Sequence, residues 1–257
     1  MGFISKRIED QVAVVSLNKP PANALSSALL KELSSLFDEL QFDETVRVVV
    51  LQGEGRFFSA GADIKEFTTI NTATEFSELA ESGQTIFERI EQFPKPVIAS
   101  IHGAALGGGL ELAMACHIRY VTENVKLGLP ELQLGLVPGF AGSQRLPRYV
   151  GMAKAAEMLF TSEPISGKEA VQWGLANATF PEEELHNASL QLAKKIATKS
   201  PLALSKAIEL LNYSKHENYY IGVKKEADSF GDIFVSLDAK EGISAFIEKR
   251  QPQFTGK

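Results

Sequence analysis

One pattern recurs through the first two-thirds of this chain: a short β-rich apolar run, a glycine-rich turn, then apolar residues at helical spacing. Residues 46–52 are almost continuously apolar, as expected of a strand buried on both faces of a sheet, and the run stops at Gly53-Glu54-Gly55. Residues 97–101 follow Pro94 and Pro96 and stop at Gly103. Residues 12–17, 118–122 and 176–180 read as further strands. Residues 26–41 and 74–92 carry apolar side chains three and four apart and read as helices, with Ser26 and Thr74 as expected N-caps. Strands alternating with helices predict an α/β core.

From residue 182 onward the pattern changes. Residues 182–198, 201–212, 217–236 and 239–248 all show helical periodicity, with no strand signal among them. Helices without a sheet need another surface to cover, either the α/β core or a partner subunit. A length of 257 residues suits one large domain or two smaller ones, and no low-complexity linker interrupts it. The expected division is an α/β core over 1–197 and a helical region over 198–257.

Composition narrows the function classes. The chain is 44% hydrophobic and 23% charged, with 26 basic against 32 acidic residues, and the basic residues form no run. Nucleic-acid backbones are held by clustered Lys and Arg, so nucleic acid is not the expected partner. No apolar stretch approaches the roughly 20 residues that span a bilayer. The N-terminus lacks the apolar stretch of a signal peptide, and Lys6 breaks the myristoylation pattern. A cytoplasmic protein is the expectation, and the Asn-x-Ser/Thr matches at Asn177, Asn187 and Asn212 then arise by chance. Cys116 is the single cysteine, so no internal disulfide can form. Scattered His102, His117, His186 and His216 build no zinc site with it, and no metal is expected.

Three segments carry candidate chemistry. The first is Ser59-Ala60-Gly61-Ala62-Asp63-Ile64-Lys65. Small residues at 60, 61 and 62 let a ligand approach the main chain and let successive amides point at an anion. The same residues would serve a tight strand-to-helix turn. Ser59 lacks the first glycine of a nucleophile elbow and is a poor candidate nucleophile.

In the second segment, Gly107-Gly108-Gly109 stands directly before the helix former Leu110-Glu111-Leu112-Ala113. Three glycines there are costly unless the backbone must be approached closely. A helix starting at that point aims free amides and its positive dipole end at whatever lies over the glycines. A phosphate is one candidate ligand, although the spacing matches neither the dinucleotide fingerprint nor the phosphate loop. A developing oxyanion is the other. Gly108 and Glu111 are three apart and share a helix face, which would set an amide donor and a carboxylate beside the same reacting atoms. Close helix packing on the glycines is the structural alternative.

In the third segment, Glu131 is flanked by Leu129, Pro130, Leu132 and Leu134. Desolvation should raise its pKa toward the range useful for proton transfer. A glutamate in such a run can equally be a loop residue bonded to backbone amides.

Taken in order and spacing, these segments resemble the crotonase superfamily, the enoyl-CoA hydratases and isomerases. The matching stretches are Ser-Ala-Gly-Ala-Asp-Ile-Lys at 59–65, Ala-Leu-Gly-Gly-Gly-Leu-Glu-Leu-Ala at 105–113, Pro-Glu at 130–131 and Pro-Gly-Phe-Ala-Gly-Ser-Gln-Arg-Leu at 138–146. The tail, from Lys240-Glu241-Gly242 to Lys249-Arg250, is typical as well. The resemblance implies an α/β fold: a spiral of repeated ββα units followed by an all-helical trimerisation region, as a homotrimer or a hexamer built from two trimers. It implies an oxyanion hole from the amides of Ala62 and Gly108, and two catalytic carboxylates, Glu111 and Glu131. Glu131 would give the proton to C2 of an enoyl thioester, Glu111 would activate water for C3, and the amide of Gly139 would hold that water. Coenzyme A would lie near Ala22, Ala60, Asp63, Ile64 and Lys65, with Phe230 and Lys249 contributing from the C-terminal region. CoA is then part of the substrate, and no separate cofactor is expected.

Both glutamates together favour a hydratase of trans-2-enoyl-CoA, in fatty-acid or branched-acid degradation. The alternatives within the family are a Δ3,Δ2-enoyl-CoA isomerase and a branched-chain, methylglutaconyl-type hydratase; an RNA-binding homologue is the alternative of another class. The sequence departs from the family at His117, Leu129, Ala141 and Ser143, where Asp, Gln, Gly and Thr are common. None of these removes a catalytic group, and positions near 129 and 140 bear on the acyl pocket.

Overall fold

The computed structural model describes residues 2–68 and 72–257. Strands β1 (Ile4–Glu9) and β2 (Val12–Leu17) form an antiparallel hairpin that leads into helix α1 (Ser27–Phe42). Three turns of one repeating unit follow. The first comprises β3 (Val48–Gly53), β4 (Phe57–Ser59), α2 (Ile64–Phe67) and α3 (Ala73–Glu91). The second comprises β5 (Val97–Ile101), β6 (Ala104–Leu106) and α4 (Gly108–Ala115). The third comprises β7 (Ile118–Thr122), β8 (Leu127–Gly128), a 3-10 turn at Glu131–Leu134 and α5 (Gly142–Thr161). Beyond it come α6 (Gly167–Gln172), β9 (Ala178–Phe180), α7 (Glu182–Ala197), α8 (Pro201–His216), α9 (Tyr219–Phe234) and α10 (Leu237–Glu248).

Each turn gives one strand to each of two sheets. The larger has the order β1-β2-β3-β5-β7-β9 and is parallel after the hairpin; the smaller has the order β4-β6-β8 and is parallel throughout. This is the ββα spiral expected from the resemblance. Alternate residues of the large sheet serve two cores, because strand side chains alternate between faces. Ala13, Val15, Val49, Leu51 and Ala99 pack into the main core under α1, α3 and α4. Val12, Val14, Val48, Val50 and Ile98 are covered by Ala193 and Ala197 of α7. Burial on both faces is why these strands are apolar without a break.

The boundaries shift where hydrogen bonds override pattern. Ser26 caps α1 as expected, accepting from the amide of Leu29. The N-cap of α3 is Thr72 instead of Thr74, because Thr72 and Glu75 close a reciprocal capping box. Strand β3 begins at Val48 and β9 at Ala178, each two residues later than expected. Helix α7 lies on the large sheet, whereas α9 and α10 leave Tyr219, Tyr220, Phe230, Phe234, Phe246 and Ile247 exposed. Among the described residues no helix is long and apolar enough to cross a membrane.

Candidate active site

The three strands of the small sheet run in one direction, so their C-terminal ends face the same way. The chain leaves β4 through Ala60-Gly61-Ala62, β6 through Gly107-Gly108, and β8 through Pro130-Glu131. The three motifs therefore converge, although they are spread over some seventy positions of sequence. Ligand sites in parallel sheets commonly lie beyond the carboxyl ends of the strands. Here that place holds a cavity of about 120 Å³, lined by Ala62, Gly108, Glu111, Glu131 and Gly139 among others.

The main chain at 60–63 is pinned by residues 22–25. Ala60 N donates to Ala22 O at 2.9 Å, Leu25 N to Gly61 O at 2.8 Å, and Asp63 N to Leu25 O at 3.2 Å. The amide of Ala62 points the other way and has no acceptor among the described residues. Gly107 turns the chain into α4 with φ 53 and ψ −127, a left-handed φ that suits a residue without Cβ. Its carbonyl accepts from Leu110 and Glu111, and its own amide donates to Gly128 O. That leaves Gly108 with the first unengaged amide of the helix. The two free amides are neighbours: a methyl group on Gly108 would sit 3.3 Å from Ala62 N.

Glu111 is 1% exposed, and its Oε1 accepts from Phe140 N at 2.8 Å and Gly142 N at 2.7 Å. Gly142 must be glycine for this approach, since a methyl there would lie 2.8 Å from that oxygen. Burial pushes the Glu111 carboxyl up to about 7, the nearby Glu131 adds to the rise, and the two amides and Arg145 oppose it. Burial also raises Glu131, whose Oε2 is buried without a hydrogen-bond partner. Glu131 Oε1 would be 3.0 Å from a methyl on Gly107, which places this carboxyl against the start of α4. Gly139 lines the cavity too, with its carbonyl accepting from Gln84 Nε2 at 2.8 Å. Apolar side chains of Phe67, Phe76, Leu79, Leu136 and Phe140 complete the wall.

The expected CoA residues divide into two groups. Ala60 and Ile64 line the cavity, and Ala22 supports Ala60 from behind. Asp63 caps α2 through the amide of Lys65 and pairs with Lys19 Nζ at 2.6 Å, a hydrogen bond that lowers its pKa. Lys65 is exposed. Phe230 on α9 and Lys249 at the end of α10 are exposed and form no part of the cavity wall. Ser59 is fully buried, donating to Asn23 O and accepting from Gly61 N, which is a structural role. Burial lifts the Cys116 thiol to about 12. His117 is half-buried, accepts from Val97 N and contacts Glu91 O, and desolvation pulls its pKa down to about 4. No group of three or more His, Cys, Asp or Glu among the described residues is arranged to hold a metal ion.

Sequence reasoning placed position 140 near the acyl pocket, and Phe140 lines the cavity, but it did not single out Gln84 and Arg145. Phe140 supplies an amide to Glu111, while Gln84 and Arg145 bond the carbonyls of Gly139 and Phe140. The available signal was the arginine of the 138–146 motif, whose burial demands an acidic partner.

Comparison with known proteins gives the family. Residues 7–257 match the family described as enoyl-CoA hydratase/isomerase. A probable enoyl-CoA hydratase of Bacillus subtilis is 57% identical over 258 residues, spanning all of both chains. A short-chain-enoyl-CoA hydratase of Clostridium acetobutylicum is 41% identical over 95% of this chain and 94% of its own. The crystal structure of an enoyl-CoA hydratase from Bacillus anthracis superposes with a TM-score of 0.95 at 37% identity, over 99% of this chain and 100% of that one. With the likeness running from the hairpin to the last helix, the chain belongs to the enoyl-CoA hydratase/isomerase family.

Proposed function

We propose that this enoyl-CoA hydratase seats the thioester carbonyl oxygen of a 2-enoyl-CoA between the amides of Ala62 and Gly108 and adds water with Glu111 and Glu131. The observation that carries the reading is the pair of adjacent, unengaged amides on the wall that also holds both raised carboxyls. As the water oxygen bonds to C3, the 2,3-π pair moves to a double bond between C1 and C2 and charge builds on the thioester oxygen, until C2 takes a proton and the carbonyl re-forms. Fixed donors at such an oxyanion contribute roughly 3 to 4 kcal/mol each. Glu111 takes the proton from water and Glu131 gives one to C2, so one proton enters the pair and one leaves it. Exchange with solvent then restores the starting state.

The bonding of each side chain suits this division of labour: two amides fix Oε1 of Glu111, as a base holding water needs, and Oε2 of Glu131 is buried and unbonded, as an acid aimed at carbon needs. Burial raises both carboxyls, that of Glu111 to about 7. The pair titrates as a unit. The amide of Gly139 holds the water. CoA lies along Ala22, Ala60, Asp63, Ile64 and Lys65, and the reaction uses no cofactor beyond the CoA of its substrate. Phe230 and Lys249 reach it only if another copy of the chain brings them there. The exposed aromatic and aliphatic side chains of α9 and α10 support a homotrimer or a pair of trimers, since monomers seldom expose so much apolar surface. The substrates are the thioesters left by 2,3-dehydrogenation of acyl-CoA during β-oxidation of fatty or branched acids in the cytoplasm.

The test is hydration of crotonyl-CoA, then of longer and branched 2-enoyl-CoA thioesters, followed by the loss of enoyl-thioester absorbance. Turnover to 3-hydroxyacyl-CoA is expected. Turnover confined to moving a 3,4-double bond, or none at all, would overturn the reading.

A further inference from the structure

Glu111 is aimed by groups that lie outside the cavity. Its Oε1 is taken by the amides of Phe140 and Gly142, which leaves Oε2 for the cavity. Those amides bracket Ala141, which adopts a left-handed φ of 69, a conformation that residues with a Cβ seldom hold unaided. The loop is gripped from two sides. From α3, Gln84 Nε2 donates to Gly139 O at 2.8 Å; from α5, Arg145 Nη1 donates to Phe140 O at 2.8 Å. The peptide group joining Gly139 to Phe140 is thus held at its oxygen by Gln84 and at its nitrogen by Glu111. Arg145 is in turn fixed by Glu91, whose Oε2 accepts from Nε at 2.9 Å and whose Oε1 accepts from Lys215 Nζ of α8 at 2.9 Å. Arg145 and Glu91 are both about 5% exposed, so neither moves without breaking a buried pair.

We propose that Arg145 and Gln84 are positioning residues of the hydration reaction: they hold the 139–142 loop so that its amides fix one oxygen of Glu111 and present the other to water. The inference rests on Glu111 acting as the base. The charged groups that act on Glu111 are Glu131 from the 3-10 turn and Arg145 from α5. Arg145 favours the ionised form, so removing its charge raises the pH at which the base becomes available.

The experiment measures kcat, KM and the pH profile for crotonyl-CoA in Gln84→Ala, Arg145→Lys and Arg145→Gln, with folding checked by circular dichroism. Gln84 is exposed, so its variant should fold. Its kcat is expected to fall about threefold to tenfold, the scale of one hydrogen bond, with KM within about twofold of wild type. Arg145→Lys keeps the charge but loses the planar fork, so kcat falls while the acid limb stays in place. Arg145→Gln lowers kcat further and moves the acid limb upward, the direction set by losing a positive charge near Glu111. An unchanged kcat in Gln84→Ala overturns the proposal, and so does an acid limb that Arg145→Gln leaves unmoved. If Arg145→Gln does not fold, the Gln84→Ala result decides by itself. A wild type that hydrates no enoyl thioester sinks the hydratase reading and this one together; an active wild type matched by Gln84→Ala sinks the positioning role alone.

Discussion

Glu91 and Glu111 are the same side chain at nearly the same depth, 5% and 1% exposed, yet the protein treats them in opposite ways. Burial alone would raise Glu91, but the hydrogen bond from Lys215 and the charge of Arg145 hold it below the usual carboxylate range. Glu111 meets two amides and another carboxyl, and burial carries it to about 7. Partners, not depth, decide whether a buried carboxyl becomes a strut or a proton carrier. One network joins the two, because Arg145 bonds Glu91 with one nitrogen and the loop over Glu111 with another. A rigid, charge-matched region thus backs a charge-frustrated one, as preorganised sites require.

The comparison can be broken at either end. The largest effect is expected on activity: Glu111→Gln and Glu131→Gln should each lower crotonyl-CoA turnover by about 10² to 10⁴, the range of acid–base groups. Wild-type rates in either variant would remove the two-carboxylate mechanism. Next comes Glu91→Ala, which strands Arg145 in the interior and should cost about 3 to 5 kcal/mol in urea unfolding. A cost under about 1 kcal/mol would show that the pair is no strut.

The smallest effect is a gain. Unfolded, the Glu111 carboxyl ionises near its ordinary 4.5; folded, near 7. Its contribution to stability therefore falls as pH rises from about 4.5 to 7 and stays low above that. At 1.36 kcal/mol per unit, Glu111→Gln should be more stable than wild type at pH 8 by up to roughly 3 kcal/mol, with no such gain at pH 4. Paired urea titrations at the two pH values check the sign. The charge-matched region should behave in reverse. His117 titrates near 4 in the folded protein against 6.5 ordinarily, so the stability it supports is complete above 6.5 and lost as pH falls toward 4.

Much of the site could be read in the sequence because its parts are local. Glycines before a helix former, and a glutamate among leucines, each admit a structural reading alone, but their order and spacing together carry the family resemblance. What escaped notice depended on distant partners or short elements. Strands β4, β6 and β8 are two or three residues long, too short for any period to show. Helix α5 carries Pro147 and turns at Gly151 with φ 76, so its periodicity is interrupted. Arg145 and Glu91 lie 54 residues apart, and Gln84 and Gly139 lie 55 apart; nothing local pairs them.

The chain's order of residues was enough to specify an alternating α/β core, a helical tail and the family it belongs to, because each shows in neighbours along the backbone. Which amides stay free, which oxygen of Glu111 is used and which buried carboxyl keeps its charge were decided only by the packing of the three turns. Those properties depend on distance and dielectric between segments that meet only when the spiral closes.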